Sequence, residues 1–306
     1  MIVIYWLWRI GMFLSGAAPR RVSLAIAAAM GQSAYYLMPL RRAVAKDNFS
    51  HVLGKSPNDD EVCRVARMSL RNYTCYLRDV MIYPSMSIEE LDSRVTVHTR
   101  EHVDQALQAG KGAIIVSAHF GNMDMPSAVL AKRFGPITLV SETLRPQQLM
   151  DYLTRIRSAR NVNMHPYDRA PRRMIEALKR NELAAFLLDF GVTHHFDIHT
   201  VPVEFFDAPT RFPAGPAQLA FLTGAAIIVG HARVSPGGHI DVYTTPPIFV
   251  QRSRDRQKIY QETMQEIARR MEEFIRAYPD QWYMFRPMWQ KDYHTPRFKF
   301  RFKLAA

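Results

Sequence analysis

The sequence predicts an α/β fold: a mixed, mainly parallel sheet flanked by helices, with hydrophobic, membrane-anchoring helices at the N-terminus. Three observations carry this. The runs 112–118 (GAIIVSA) and 183–188 (LAAFLL) are continuously apolar rather than alternating, which fits strands buried on both faces. Strand-like and helix-like segments alternate between 95 and 243, the order that builds βαβ units. The segment 254–277 sets Ile259, Met264, Ile267, Met271 and Phe274, with Tyr278 just beyond, on one face at helical spacing, as a helix covering a sheet requires.

Taken in order, residues 2–16 are apolar apart from Arg9 and fall short of the roughly 20 residues an unstrained membrane span needs. A second run, Leu24 to Leu40, carries no charge over 17 positions. Arg20, Arg21, Arg41, Arg42 and Lys46 border these runs on one side, as cytoplasmic flanks do. No charged region precedes the first run, so it reads as an uncleaved anchor that either spans or lies flat. One of the two runs could instead be a buried core helix.

Residues 60–80 have helical periodicity, Val95–His98 is a short strand, and 112–118 a buried strand. Then come a helix over 123–133, a strand over 137–140, helices over 147–160 and 170–180, and the buried strand 183–188. A polar loop at 189–197 leads to an alternating strand at 198–206, a helix opened by Pro213 and Pro216, and strands at 225–232 and 239–243. The tail Arg297-Phe-Lys-Phe-Arg-Phe-Lys303 alternates basic and aromatic residues, so an extended chain sorts charges and rings onto opposite sides. That strip suits anionic lipid or single-stranded nucleic acid, or is an ordinary edge strand. The chain thus divides into anchoring helices over 1–55, an α/β domain over 56–290 and a basic-aromatic tail over 291–306.

The 306 residues are 48% hydrophobic, enough for one substantial core. Lys and Arg outnumber Asp and Glu by 40 to 28, a formal charge of +12 that favours a polyanionic partner. Aromatic and basic residues at both ends tilt that partner toward a lipid surface, and no nucleic acid is expected. The two cysteines, Cys63 and Cys75, have neither disulfide-framework nor zinc spacing. Asp189, His194, His195, Asp197 and His199 fall within 11 residues, but exposed polar loops often carry such clusters and no metal is expected.

The chemistry concentrates at Ser117-Ala-His119-Phe-Gly-Asn-Met-Asp124-Met-Pro126. His119 directly follows an apolar strand, at the strand end where open α/β sheets place their sites. Gly121 permits a tight turn, Asn122 can cap a helix, and Pro126 suits its first turn, so Asp124 could fold back toward His119. A carboxylate on one imidazole nitrogen fixes the tautomer and leaves the other nitrogen to take a proton from a hydroxyl. By itself a histidine followed five residues later by aspartate also describes a capped helix beside a satisfied histidine. No GxSxG, GxxxxGK[ST] or GxGxxG motif is present, which argues against hydrolase, nucleotidase and dinucleotide-binding alternatives.

His119-x4-Asp124 in this setting resembles the motif of the glycerolipid acyltransferase superfamily. The wider pattern is similar to its branch of bacterial lipid A and phosphatidylinositol mannoside acyltransferases. The resemblance rests also on Arg41-Arg42 with Asn48, Glu142-Thr-Leu-Arg145-Pro, Leu188-Asp189, the run Val201 to Thr210, Gly215, Leu222-Thr-Gly-Ala225, and Tyr278 to Arg286. It implies acyl transfer from acyl-CoA or acyl carrier protein to a lipid hydroxyl, at the cytoplasmic face of a bacterial plasma membrane. No other cofactor is implied and no acyl-enzyme forms, with His119 as general base and Asp124 as its orienting partner. Gly121, Asn122, Glu142, Arg145, Asp189, Glu204 and Arg211 are candidate substrate-binding residues, Arg145 and Arg211 for a carrier phosphate or headgroup. Where the glycerophosphate branch has a Phe-Pro-Glu-Gly-Thr-Arg run, this chain has Phe212-Pro-Ala-Gly-Pro216, which favours a sugar hydroxyl on a glycolipid. A lysophospholipid acceptor is the alternative, and a non-enzymatic lipid or nucleic-acid binder the further one.

Overall fold

A computed structural model describes residues 2–142, 145–189, 198–251 and 254–289. The chain begins with helices α1 (Ile2–Ala17), α2 (Arg20–Leu37), α3 (Pro39–Leu53), α4 (Asp60–Ile82) and α5 (Ile88–Arg94). Next come β1 (Val95–Val97), α6 (Arg100–Gln108), β2 (Ala113–Ser117), α7 (Asp124–Phe134), β3 (Ile137–Ser141), α8 (Gln147–Ser158), β4 (Val162–Pro166), α9 (Ala170–Lys179) and β5 (Leu183–Leu187). The remainder is β6 (Thr200–Phe205), β7 (Ala208–Pro213), α10 (Gly215–Thr223), β8 (Ala226–Val234), β9 (Ile240–Thr244) and α11 (Arg256–Ala277).

Seven strands form one sheet in the order β1-β9-β8-β2-β5-β3-β4. All neighbours in it pair in parallel except β8 with β9, so the expected mixed, mainly parallel α/β architecture is found. The two runs read as buried strands, β2 and β5, lie side by side at the sheet's centre, in register from Ala113↔Leu183 to Ser117↔Leu187. On one side, Ile114, Val116 and Ala184 join Phe49 and Val52 of α3, Val62 and Val65 of α4, and Met264, Ile267 and Met271 of α11 in the main core.

Two stretches fold differently from their sequence pattern. β4, Val-Asn-Met-His-Pro, has neither alternation nor an apolar run, and it forms because it is the sheet's edge, where only β3 constrains it. The expected strand at 198–206 is β6, but it is one arm of a hairpin: β7 pairs antiparallel with it and takes in Pro213, and the expected helix begins after that residue, as α10. The turn between the two strands puts Phe206 and Asp207 at φ 51° and 57°. This two-residue geometry ordinarily selects Asn-Gly. Phe206 is buried there and its N–H donates to Glu272 Oε1 at 2.8 Å, so tertiary contacts override the local preference.

The apolar N-terminal runs are helices as expected, yet among the described residues no helix is long and apolar enough to cross a membrane. Tyr5, Trp8 and Met12 of α1 pack against α4 and α8, while Trp6, Leu7, Ile10, Phe13 and Leu14 are all more than half exposed. The basic-aromatic tail and the residues His194, His195 and Asp197 lie outside the described residues.

Candidate active site

The site follows from the register of β2 and β5. Ser117 sits opposite Leu187, so His119 and Asp189, each two residues further on, arrive together at the same end of the sheet. The Leu188 N–H donates to Ser117 O at 3.0 Å and continues the ladder. The main-chain N–H of His119 then donates to both Asp189 oxygens, at 3.0 and 2.8 Å. Nδ1 of the His119 ring lies 2.8 Å from Asp189 Oδ1. A carboxylate can only accept, so Nδ1 carries the proton and the ring's lone pair sits on Nε2.

A segment after α11 braces this pair. The Tyr283 N–H donates to His119 O at 2.7 Å, and the Gly121 N–H donates to Gln281 O at 2.9 Å. Between these, the fully buried Trp282 donates its indole N–H to Asp189 Oδ2 at 2.8 Å. The segment is itself fixed from the helical side: Ser69 Oγ donates to Trp282 O at 2.5 Å, and the buried Asn48 amide donates to Met284 O and Arg286 O, both at 2.9 Å.

Electrostatically, Asp189 is buried while the His119 side chain is 38% exposed. Partial burial pulls the imidazole pKa down, but the Asp189 charge and hydrogen bond, helped by Glu142, outweigh it and raise the pKa above its ordinary 6.5. The outcome is a histidine whose protonated form the carboxylate at Nδ1 favours.

The structure differs from expectation at the orienting partner. Asp124 opens α7 as predicted, but its carboxylate accepts from Arg157 Nε at 2.5 Å, Arg157 Nη2 at 3.2 Å and the Tyr76 hydroxyl at 2.7 Å. Burial opposes its charge, yet Arg157 and these hydrogen bonds hold the carboxyl below its usual range. The carboxylate on His119 Nδ1 is that of Asp189, which the sequence pattern placed among substrate-binding candidates.

The other candidates separate into three groups. Glu142 follows β3 on the same rim and forms a two-point ion pair with Arg286, at 2.7 and 2.8 Å; Arg145 is exposed two residues ahead of α8. Gly121 and Asn122 shape the turn after His119. Gly121 has φ 57°, and a Cβ there would lie 1.8 Å from Ala232 O, so no other residue fits. Asn122 is buried, its N–H donates to Ala232 O at 3.2 Å, and its side-chain oxygen caps α7 by accepting from the Met125 N–H at 3.2 Å. Glu204 and Arg211 stand on the exposed face of the β6–β7 hairpin, where Arg211 donates to Thr200 Oγ1 at 2.9 Å and Thr200 O at 2.8 Å. His199, from the histidine-rich stretch, lies 2.9 Å from the Gln218 amide through Nδ1 and 3.3 Å from that of Gln257 through Nε2.

Arg157, Tyr76 and Trp282 carried no assigned role in the sequence. Arg157 had a legible signal: it continues the spacing of Met150 and Leu153 along the buried side of α8, and a charge on an apolar helix face demands a buried counter-charge.

The rim thus holds a strand-end histidine backed by a buried aspartate, next to a helix opened by the fifth residue after it. Over residues 1–291 the chain matches the family model described as bacterial lipid A biosynthesis acyltransferase. It belongs to that family and is an O-acyltransferase. It is 32% identical over 257 residues to the phosphatidylinositol mannoside acyltransferase of Mycolicibacterium smegmatis, covering 82% of this chain and 80% of that protein. The phosphatidylinositol mannoside acyltransferase of Mycobacterium tuberculosis (strain CDC 1551 / Oshkosh) is 32% identical over 262 residues, covering 82% and 78%.

Proposed function

We propose that the protein transfers a fatty acyl chain from acyl-CoA or acyl carrier protein to a sugar hydroxyl of a membrane glycolipid of the phosphatidylinositol mannoside type. The observation that carries this reading is the His119–Asp189 pair, in a chain similar along most of its length to enzymes with that name. His119 Nε2 takes the proton of the acceptor hydroxyl as its oxygen attacks the thioester carbonyl. The tetrahedral intermediate collapses with cleavage of the C–S bond, and the imidazolium returns its proton to the departing thiolate. No acyl-enzyme is formed.

The test is acyl transfer by the purified protein from palmitoyl-CoA to phosphatidylinositol mannoside, with a lipid A precursor and lysophosphatidate as competing acceptors. Selective acylation of the mannoside supports the reading. Preference for lysophosphatidate replaces it with the lysophospholipid alternative, and preference for the lipid A precursor keeps the chemistry but changes the acceptor.

Trp282→Phe keeps the buried ring and deletes the N–H that Asp189 accepts. Turnover should fall about tenfold, the scale of one hydrogen bond to a charged group. With one donor fewer, Asp189 holds the His119 proton more tightly, so the acid limb of the pH–rate profile should move to higher pH. A purely structural tryptophan would leave that limb where it was.

Membrane association is part of the proposal, at the cytoplasmic face and by lying flat rather than by spanning. On α2, Val22, Ile26 and Met30 are exposed as well, and Arg9, Arg20, Arg21 and Arg41 are exposed on the first three helices. An apolar helix face bordered by cations suits the interface of an anionic bilayer. Replacing Trp6, Ile10 and Phe13 together by serine should lower partition onto anionic vesicles about a thousandfold, since each such side chain contributes about 1.5 kcal/mol or more when buried and about 1.4 kcal/mol is a factor of ten. Unchanged co-sedimentation with vesicles would remove α1 from the membrane contact.

A further inference from the structure

Glu142 and Arg286 form a feature of the described rim that the proton-transfer scheme leaves without a task. Glu142 follows β3, whose parallel pairing with β5 delivers it to the same end of the sheet as Asp189. Arg286 lies three residues beyond Tyr283, whose N–H holds His119 O. The two charges are close enough to the His119 ring to act on it in opposite directions.

The two halves of Arg286 are held very differently. Its carbonyl is fixed by the buried Asn48 amide at 2.9 Å, so the residue's place relative to His119 is set by the core. Its side chain is 53% exposed and presents a planar fork to Glu142, which is 23% exposed. A solvent-screened ion pair of this kind stabilises a fold little. The same fork matches a phosphate as well as it matches a carboxylate. Arg41 adds a second guanidinium on this side: Tyr73, packed 5.4 Å from the Phe285 ring, is close enough to both Arg41 and Arg286 for both charges to act on it.

We propose that Arg286 is the phosphate-recognition residue of the active-site rim, and that Glu142 holds its guanidinium in place until a phosphate ester of a substrate displaces the carboxylate. This rests on the acyl-transfer reading, because it is a thioester carrier or an acidic lipid that would bring the phosphate to His119. Coenzyme A and a phosphoinositide headgroup share that chemistry and are separated by the test.

Binding is measured for the purified full-length protein with two probes, without turnover. One is coenzyme A by calorimetry; the other is phosphatidylcholine vesicles with phosphatidylinositol, scored against vesicles lacking it. Arg286→Gln should weaken one probe about tenfold or more, the scale of losing charge-assisted hydrogen bonds. Arg286→Lys, which keeps the charge but loses the fork, should fall between. Glu142→Gln should tighten the same probe severalfold, because the competing anion is gone. An effect confined to coenzyme A assigns the carrier phosphate, and one confined to phosphatidylinositol assigns the headgroup. Both variants weakening binding, both leaving it unchanged, or neither probe binding the unaltered protein at millimolar concentration overturns the proposal. Opposite signs in a protein that transfers no acyl group would uphold the phosphate site and sink the acyl-transfer reading alone.

Discussion

His119→Ala should lower acyl-transfer turnover by about 10² to 10⁴-fold, the span that a positioned general base contributes, while thermal unfolding and vesicle binding stay close to those of the unaltered protein. The side chain is 38% exposed and meets Asp189 at the end of the sheet, so deletion empties the rim without opening the core. The pH dependence carries a sign. His119 acts as a base only when neutral, and Asp189 raises its pKa above 6.5. The acid limb of kcat/KM should therefore lie above pH 6.5, with activity lost as pH falls through it. Asp189→Asn removes the charge that holds the proton, so the limb should move to lower pH. The plateau should drop by about 10³-fold or more, because an amide does not enforce the Nδ1–H tautomer. A His119→Ala enzyme with full turnover would end the mechanism. An Asp189→Asn enzyme whose limb does not move would return the orienting role to another group.

The fold was legible where a pattern is local. β2 and β5 are unbroken apolar runs, α11 is periodic over 22 residues, and Asn122 is a side chain that reaches its own helix's first turn. The place of His119 was legible for the same reason, since a histidine directly after a buried strand needs no distant partner to be placed. The carboxylate that meets its ring was not. Asp189 is separated from His119 by 70 positions, and they meet only because β5 inserts between β2 and β3. Strand order depends on which faces the helices cover, and that is not written in the spacing of either motif. Asp124, five residues away, offered a nearer partner, and only the packing of α8 beneath it shows that its oxygens are already taken. The hairpin β6–β7 and edge strand β4 were hidden differently: Pro209, Pro213 and Pro166 weaken the strand signal in segments that their neighbours nonetheless pair.

The Asp124–Arg157 pair decides whether the aspartate of the His-x4-Asp motif serves chemistry directly or serves the turn that carries it. Its carboxylate is 5% exposed and the Arg157 side chain 17%, with Tyr76 and the Met164 sulfur completing the enclosure at 2.7 and 3.0 Å. Removing one partner leaves the other charge buried without compensation, which typically costs about 3–5 kcal/mol. Asp124→Asn and Arg157→Met should each lower stability on that scale by denaturant unfolding. The double variant should lose clearly less than the sum, since it leaves no orphaned charge. Asp124 is held below its ordinary 3.8, so its stabilisation should be complete above that pH and vanish as pH falls through the lower folded-state value. Turnover should fall with the folded fraction, because a loosened α7 releases the turn at Gly121 that sets His119, and the acid limb should stay in place. If Asp124→Asn instead left stability intact and shifted that limb, the aspartate would be acting on His119 directly and the assignment of its partner to Asp189 would have to be shared.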